Sequence, residues 1–310
     1  MRVAALCASH TPLKDYYSPE LDAQREVDTC FDALRAWVCD FAPELVLVFG
    51  PDHFNGFFYQ LMPSFCVGAA AEAIGDWNTP TGPLPVDAGA ALALVQQLHE
   101  AGVDTAISYR MQLDHGLTQT LQMVFDWTAL PPVIPIFINC AAAPRPPFAR
   151  VIALGRAVGE FARTTGRRVL IVGSGGLSHD PPVPTLATAT PEVRERIVTG
   201  GALSPEARQS RQRRVIAEGE KQATGKSENI PVNPTWDRAF LDMILNHDFD
   251  GMASLRDPEL TIAAGHGGHE VRTWVASAAA LSVFPECRPR LRMYRAIPAW
   301  VAGFGVLTIE

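Results

Sequence analysis

The sequence predicts an α/β fold in which a central, mostly parallel β-sheet has helices on both faces. Short apolar runs, typical of buried strands, alternate with longer amphipathic segments of helical periodicity. Strand, helix and strand in this order indicate βαβ units, which place parallel strands in one covered sheet. Because no flexible linker or internal repeat interrupts the 310 residues, we expect one domain over residues 1–310.

Five apolar runs predict the buried strands. They are RVAALCA (2–8), LVLVFG (45–50), DTAISY (104–109), PVIPIFI (132–138) and RVLIVG (168–173). The helical patterns between them cover residues 19–40, 86–101, 117–127 and 147–165. Further helices are predicted over 234–248 and 270–283, and a last strand or two around 301–309.

The amino-acid composition of the chain changes after the fifth predicted strand. Three closely spaced prolines (Pro181, Pro182 and Pro184) in DPPVPTLATATP (180–191) prevent a helix there, and a charged helical segment follows at about 190–250. Ser204, followed by proline and glutamate, is a typical helix start. Four arginines of that helix could form a basic patch, but a solvated helix face is the favoured interpretation (Arg208, Arg211, Arg213 and Arg214).

Composition excludes several classes of function. Lys plus Arg number 26 and Asp plus Glu 33, and the resulting net charge of −7 argues against nucleic acid as a partner. No apolar run approaches the ~20 residues that span a bilayer, and the N-terminus predicts a strand rather than an export signal. The six cysteines form no C-x-x-C pair, so we expect reduced thiols in a cytoplasmic protein.

Four of the eight histidines follow predicted strands closely. His10, His53, His115 and His179 come after the first, second, third and fifth strands. Open parallel sheets bind ligands beyond the carboxyl ends of their strands. One such histidine would most simply be a loop residue, but four on one edge predict an active site.

The segment AAGHGGHEVRTW places His266, His269 and Glu270 around a pair of glycines. A glutamate in the first turn of a helix commonly serves only the helix dipole. Two imidazoles and one carboxylate are, however, the ligand set of non-haem Fe(II) oxygenases. Zinc hydrolases use a similar set, so the ligand types alone leave the reaction open.

The glycine-rich GSGGLSH (173–179) is not predicted to bind a nucleotide. That function needs a helix directly after the glycines, whose N-terminus faces phosphate, and Asp180, Pro181 and Pro182 follow instead. We expect these glycines to let the backbone pass close to a ligand while His179 points into the pocket.

Five segments carry the histidines and the glutamate in order: ASHTPL with His10, FGPDHFNGFFY with His53, QLDHG with His115, GSGGLSH with His179 and GHEVRTW with Glu270. Together they resemble the type III (LigB-like) extradiol catechol dioxygenases. The likeness runs nearly end to end and includes PTWD (234–237) and IPAWVAGFG (297–305).

The resemblance implies Fe(II) held by His10, His53 and Glu270. It makes His115 and His179 the acid/base groups, with Asp114 orienting His115 or tuning its pKa. It also implies a homo-oligomer. The implied substrates are a catechol and O2, with 2,3-dihydroxyphenylpropionate opened to 2-hydroxy-6-oxonona-2,4-dienedioate and 2,3-dihydroxycinnamate as a second catechol. The alternatives are a zinc-dependent hydrolase at the same His/His/Glu site and a non-catalytic metal-binding relative.

Contacts to the substrate are less defined by the sequence. His269 either donates a hydrogen bond to substrate or packs in the core. Phe57 and Tyr59, in the aromatic triplet after His53, either form a wall for the ring or pack in the core. A substrate carboxylate needs a cation or backbone N–H groups, and the sequence singles out no arginine for that role.

Overall fold

The computed structural model describes residues 2–310. Its strands are β1 (Val3–Ala8), β2 (Leu45–Gly50), β3 (Phe65–Gly68), β4 (Ala71–Ile74), β5 (Thr81–Pro83), β6 (Ala106–Ser108), β7 (Met111–Leu113), β8 (Val133–Ile138), β9 (Val169–Ser174), β10 (Pro289–Ile297) and β11 (Ala302–Ile309). Its α-helices are α1 (Leu21–Phe41), α2 (Ala88–Glu100), α3 (His115–Val124), α4 (Phe148–Thr164), α5 (Pro191–Thr199), α6 (Pro205–Ala223), α7 (Pro234–Leu245), α8 (Phe249–Ser254), α9 (Asp257–Ala264) and α10 (Val271–Leu281).

The main sheet has the order β10-β11-β1-β9-β2-β8-β3-β6. Its central strands β1, β9, β2 and β8 are mutually parallel, whereas β11 and β10 extend it as an antiparallel hairpin. A smaller sheet has the order β5-β4-β7. The predicted α/β fold with a mostly parallel sheet is confirmed.

Both faces of the main sheet are covered, as β1 illustrates. Val3, Ala5 and Cys7 belong to a core that includes α4 and α10, whereas Ala4 and Leu6 belong to a second core that includes α1 and α3. Because successive side chains of a strand point to opposite faces, a strand covered twice must be apolar throughout.

The predicted third strand differs from the structure. β6 is a short edge strand that ends at Ser108, and a turn leads into β7 of the smaller sheet. His115 therefore follows β7, as the first residue of α3, and not a strand of the main sheet. The boundaries of a single domain over 1–310 stay a prediction. Among residues 2–310, none of the helices has both the length and the apolar character that a bilayer span requires.

Candidate active site

Three side chains meet at the carboxyl edge of the main sheet, where β1, β2 and β9 end. His10 Nε2 lies 3.6 Å from Glu270 Oε2, and His53 Nε2 lies 3.2 Å from Glu270 Oε1. In a metal site with bonds of about 2.1 Å, adjacent ligand atoms lie about 3 Å apart. The spacing and the chemistry of these donors therefore fit one metal ion held by two imidazoles and a carboxylate.

His10 is a neutral, firmly held imidazole. Its Nδ1 lies 3.1 Å from the hydroxyl of Ser174, at the end of β9. Burial lowers the pKa of His10 to about 3, although the charge of Glu270 opposes the shift. An uncharged imidazole whose Nε2 faces Glu270 is the form in which histidine binds a metal.

Glu270 is ionised within this cluster. Burial alone would raise its pKa, but the charge of His179 and the hydrogen bonds from His179 and His53 outweigh burial and hold the pKa well below its usual value. The amide of Gly176 donates to Oε2 at 2.9 Å. Glu270 precedes α10, so the helix start that the sequence indicated also delivers the carboxylate to the site.

Asp114 orients His53, not His115 as predicted. Its Oδ2 accepts the backbone amide of His53 at 2.8 Å and lies 3.1 Å from His53 Nδ1. Its Oδ1 accepts the amide of Gly116 at 2.9 Å, as the N-cap of α3. The carboxylate of an N-cap residue folds back over the first turn of its helix. Asp114 therefore points to the loop that carries His53, and the ring of His115 contacts a different carboxylate, that of Asp76.

The charges around His53 favour its protonated form when no metal is bound. Burial opposes a charged imidazole, but the carboxylates of Asp114 and Glu270 outweigh it and raise the pKa of His53 well above its usual value. The ring of His53 also stacks on that of His115, with centroids 4.4 Å apart.

The partner of His115 is Asp76, which the sequence did not single out. Asp76 Oδ2 lies 2.6 Å from His115 Nδ1, and Oδ1 accepts the backbone amide of His115 at 2.8 Å. Asp76 lies in a turn in which Gly75, Trp77 and Asn78 have φ of 69°, 53° and 60°. Such left-handed backbone is costly for residues other than glycine and is common where a site needs an exact placement.

His179 reaches the same cluster through a glycine-rich loop. Its Nδ1 lies 3.0 Å from the carbonyl oxygen of Leu177, which leaves Nε2 facing Glu270 Oε1 at 3.4 Å. Burial lowers the pKa of His179, but Glu270 outweighs burial and the net shift is upward. A Cβ on Gly176 would lie 2.6 Å from the imidazole ring, so this glycine makes room for His179 itself.

A cavity opens onto the four histidines, and aromatic, proline and aliphatic side chains form most of its wall. The lining residues include Trp77, Pro181, Val183, Val215 and Trp300, together with Arg211. Arg211 Nη2 donates to the carbonyl oxygen of His53 at 3.0 Å. The predicted solvated face of α6 is therefore wrong for Arg211.

The matching family is described as the catalytic LigB subunit of aromatic ring-opening dioxygenase, and it covers residues 4–305. The chain belongs to the LigB family. It is thus an oxidoreductase of the extradiol dioxygenase class, and this prediction is confirmed.

Full-length relatives of this LigB-family chain are named 2,3-dihydroxyphenylpropionate/2,3-dihydroxicinnamic acid 1,2-dioxygenase. The Photorhabdus laumondii protein is 45% identical over 100% of this chain and 98% of its own length. The Pseudomonas putida protein is 48% identical over 97% and 96%, and a Rhodococcus protein is 47% identical over 98% and 97%. A solved structure, uncharacterized protein JW3007 of Escherichia coli K12, shares 15% identity and a TM-score of 0.49 over 99% of both chains.

His269 lies in the core of this LigB-family chain and not among the residues that line the cavity. Its Nε2 lies 2.7 Å from Thr261 Oγ1, and its Nδ1 lies 2.9 Å from Arg272 Nη1. Burial, together with the charges of Arg145 and Arg272, lowers the pKa of His269 to about 2. This buried position favours the packing interpretation of His269 over a contact with substrate.

The aromatic residues after His53 also pack away from the cavity. Phe57 stacks on Phe137 of β8, with ring centroids 3.8 Å apart. Tyr59 stacks on Phe54, with centroids 5.5 Å apart. Neither Phe57 nor Tyr59 is among the described residues that line the cavity, where Trp77 and Trp300 supply the aromatic surface instead.

Proposed function

We propose that this chain is an Fe(II)-dependent extradiol dioxygenase that opens 2,3-dihydroxyphenylpropionate with O2 to 2-hydroxy-6-oxonona-2,4-dienedioate, and that it accepts 2,3-dihydroxycinnamate as a second substrate. The observation that carries the proposal is the cluster of His10, His53 and Glu270 beside two further histidines. The names of the full-length relatives support the substrate.

His10 Nε2, His53 Nε2 and the Glu270 carboxylate would hold the iron. Fe(II) held there would supply Lewis-acid and redox chemistry toward the catechol and O2. The same ligands could hold zinc for hydrolysis. His115 and His179 add two acid/base groups, for which a binding-only relative would have no use. The match to the LigB dioxygenase family favours iron over zinc.

His179 suits the role of base toward a catechol hydroxyl. With Nδ1 engaged by the Leu177 carbonyl, Nε2 is the atom that can take the proton. The carboxylate of Glu270, 3.4 Å away, favours the resulting imidazolium. Deprotonation prepares the catechol to bind as a chelating anion.

His115 suits the role of an acid that donates a proton during ring opening. Asp76 engages its Nδ1 at 2.6 Å, which leaves Nε2 as the atom that donates a proton. A buried carboxylate behind the ring fixes its orientation and its tautomer, as in other histidine–carboxylate pairs. His115 is only 4% exposed, so bulk water does not compete for this proton.

We also propose that the chain forms one domain over residues 1–310, assembles as a homo-oligomer and works in the cytoplasm. The oligomer rests on the family resemblance. The reduced, unpaired state of the six cysteines is consistent with a reducing compartment.

The activity is tested by identifying the product. Protein purified without oxygen is loaded with Fe(II) and supplied with 2,3-dihydroxyphenylpropionate and O2, and the product is analysed by mass spectrometry and NMR. We expect a yellow product whose mass equals substrate plus one O2 and whose ring is opened beside the hydroxyl pair. Opening between the hydroxyls, or a product formed without O2, would overturn the proposal. His99→Ala, an exposed histidine on α2, should match the unaltered protein, whereas His179→Ala should not turn over.

A further inference from the structure

The cavity onto which the four histidines open is lined by an arginine, Arg211, whose guanidinium can still bind a ligand. Among the described residues that line it, Arg211 is the only lysine or arginine. Among the side chains that the structure describes, it makes one hydrogen bond, from Nη2 to the His53 carbonyl, and no ion pair. A guanidinium has five N–H donors in a planar fork, so most of its donors remain available to a ligand.

Other arginines near the site are already engaged. Arg145 lines a neighbouring cavity, but it donates to the carbonyls of Cys140 and Ala141 and pairs with Asp257. Arg272 is fully buried and also pairs with Asp257. Neither guanidinium presents a free fork to a substrate.

Arg211 is a partly buried cation that none of the described carboxylates contacts directly. Burial lowers its pKa, while the charges of Asp114, Asp76 and Asp52 act in the opposite direction. Removing a cation from water without pairing it is costly. A ligand that brings its own carboxylate into the cavity would relieve that cost with charge-assisted, bidentate hydrogen bonds.

We propose that Arg211 binds the side-chain carboxylate of the catechol substrate and thereby selects acidic catechols. The inference rests on the proposed function and deepens it. Because Arg211 Nη2 donates to the carbonyl oxygen of His53 at 3.0 Å, its guanidinium contacts the main chain of a proposed iron ligand. A substrate carboxylate that enters this cavity would meet Arg211 as its cation, and Val215 and Trp300 line the same cavity. The protein's net charge of −7 gives an anion no general attraction, so a local cation is needed.

The first experiment compares two catechols in Arg211→Met. The measured quantity is kcat/KM for 2,3-dihydroxyphenylpropionate divided by kcat/KM for 3-propylcatechol, which lacks the carboxylate. We expect this ratio to fall about 10- to 100-fold, the value of a hydrogen-bonded charge pair. Arg211→Lys, which keeps the charge but not the fork, should fall between Arg211→Met and the unaltered protein.

Two control variants make the result specific. Arg213→Met removes an exposed arginine of the same helix and should leave the ratio unchanged. Arg145→Met removes the competing cation of the neighbouring cavity. An unchanged ratio in Arg211→Met, or an equal fall in Arg145→Met, would overturn the inference.

A second measurement does not depend on iron or turnover. Metal-free protein is titrated with 3-phenylpropionate and with uncharged 3-phenylpropan-1-ol by calorimetry. The acid should bind more tightly than the alcohol, and Arg211→Met should abolish the difference. If the unaltered protein prefers the acid but opens no catechol, the proposed function fails while the carboxylate site stands. If it opens catechols without any preference for the acid, only the carboxylate site fails.

Discussion

Replacing Asp114 with asparagine should weaken the proposed iron site without removing a proposed ligand. The carboxylate of Asp114 accepts the His53 amide at 2.8 Å, the Asn55 amide group at 2.8 Å and the Gly116 amide at 2.9 Å, and it lies 3.1 Å from His53 Nδ1. An asparagine side chain has the same shape, but one oxygen becomes an NH2 group. Wherever that group points, it faces at least one donor and leaves a buried N–H unpaired.

The expected loss follows from that geometry. Removing the hydrogen-bond partner of a metal-binding histidine lowers metal affinity about 10- to 100-fold. This equals about 1.4–2.8 kcal/mol, close to the value of one charge-assisted hydrogen bond. Asp76→Asn is the matched control, because Asp76 is also buried and also holds one imidazole, that of His115.

The assay is competition for Fe(II) against a chromogenic chelator under anaerobic conditions. Asp114→Asn should lose affinity by the amount above, whereas Asp76→Asn should stay close to the unaltered protein and lose kcat instead. Equal affinity losses in both variants, or none in Asp114→Asn, would refute the assignment of Asp114 to His53.

Three further predictions concern the site, the packing and the pH dependence of stability. His10→Ala should lose bound iron. His115→Ala should keep its iron, while its kcat falls at least ~100-fold. If metal analysis shows the reverse pattern, the roles of His10 and His115 are exchanged. Gly159→Ala puts a Cβ against the backbone of α10 and should cost about 1–3 kcal/mol in urea unfolding. Gly89→Ala, whose Cβ would make only an ordinary contact at 3.7 Å with Asp87 Oδ1, should cost nothing; similar losses would count against the close packing of α4 on α10. Burial raises the pKa of Cys66 to about 12 from 9.0, so the unfolded thiol ionises first and stability should decline as pH rises above about 9, by up to about 1.4 kcal/mol per pH unit from this group. Cys66→Ala should flatten that decline in alkaline urea titrations, and an unchanged slope would show that the thiol does not contribute.

The central strands could be predicted from the sequence because they are buried on both faces. Continuous apolar runs gave β1, β2, β8 and β9 to within a residue or two. The same reasoning missed β3, β4 and β5, which are only three or four residues long. Strands that short show neither a long apolar run nor a clear alternation.

The convergence of His10, His53 and His179 could be predicted because topology brings the ends of β1, β2 and β9 together, whereas His115 arrives from β7 of the smaller sheet. The carboxylates that contact these imidazoles, Asp76 and Asp114, could not be assigned to their partners from the sequence. Asp76 meets His115 across 39 residues of chain, and Asp114 turns away from its neighbour His115 because it caps α3. Arg211 was missed for a related reason. It lies among several arginines of a charged helix, and only packing decides which of them faces the cavity.

Oxygen consumption at a defined metal tests the central claim most directly. Metal-free protein is loaded with Fe(II) or with Zn(II), and dissolved oxygen is followed when a limiting amount of 2,3-dihydroxyphenylpropionate is added. The account predicts uptake of one O2 per catechol with Fe(II) and none with Zn(II). Turnover with Zn(II), or loss of the catechol with Fe(II) while oxygen stays constant, would contradict it.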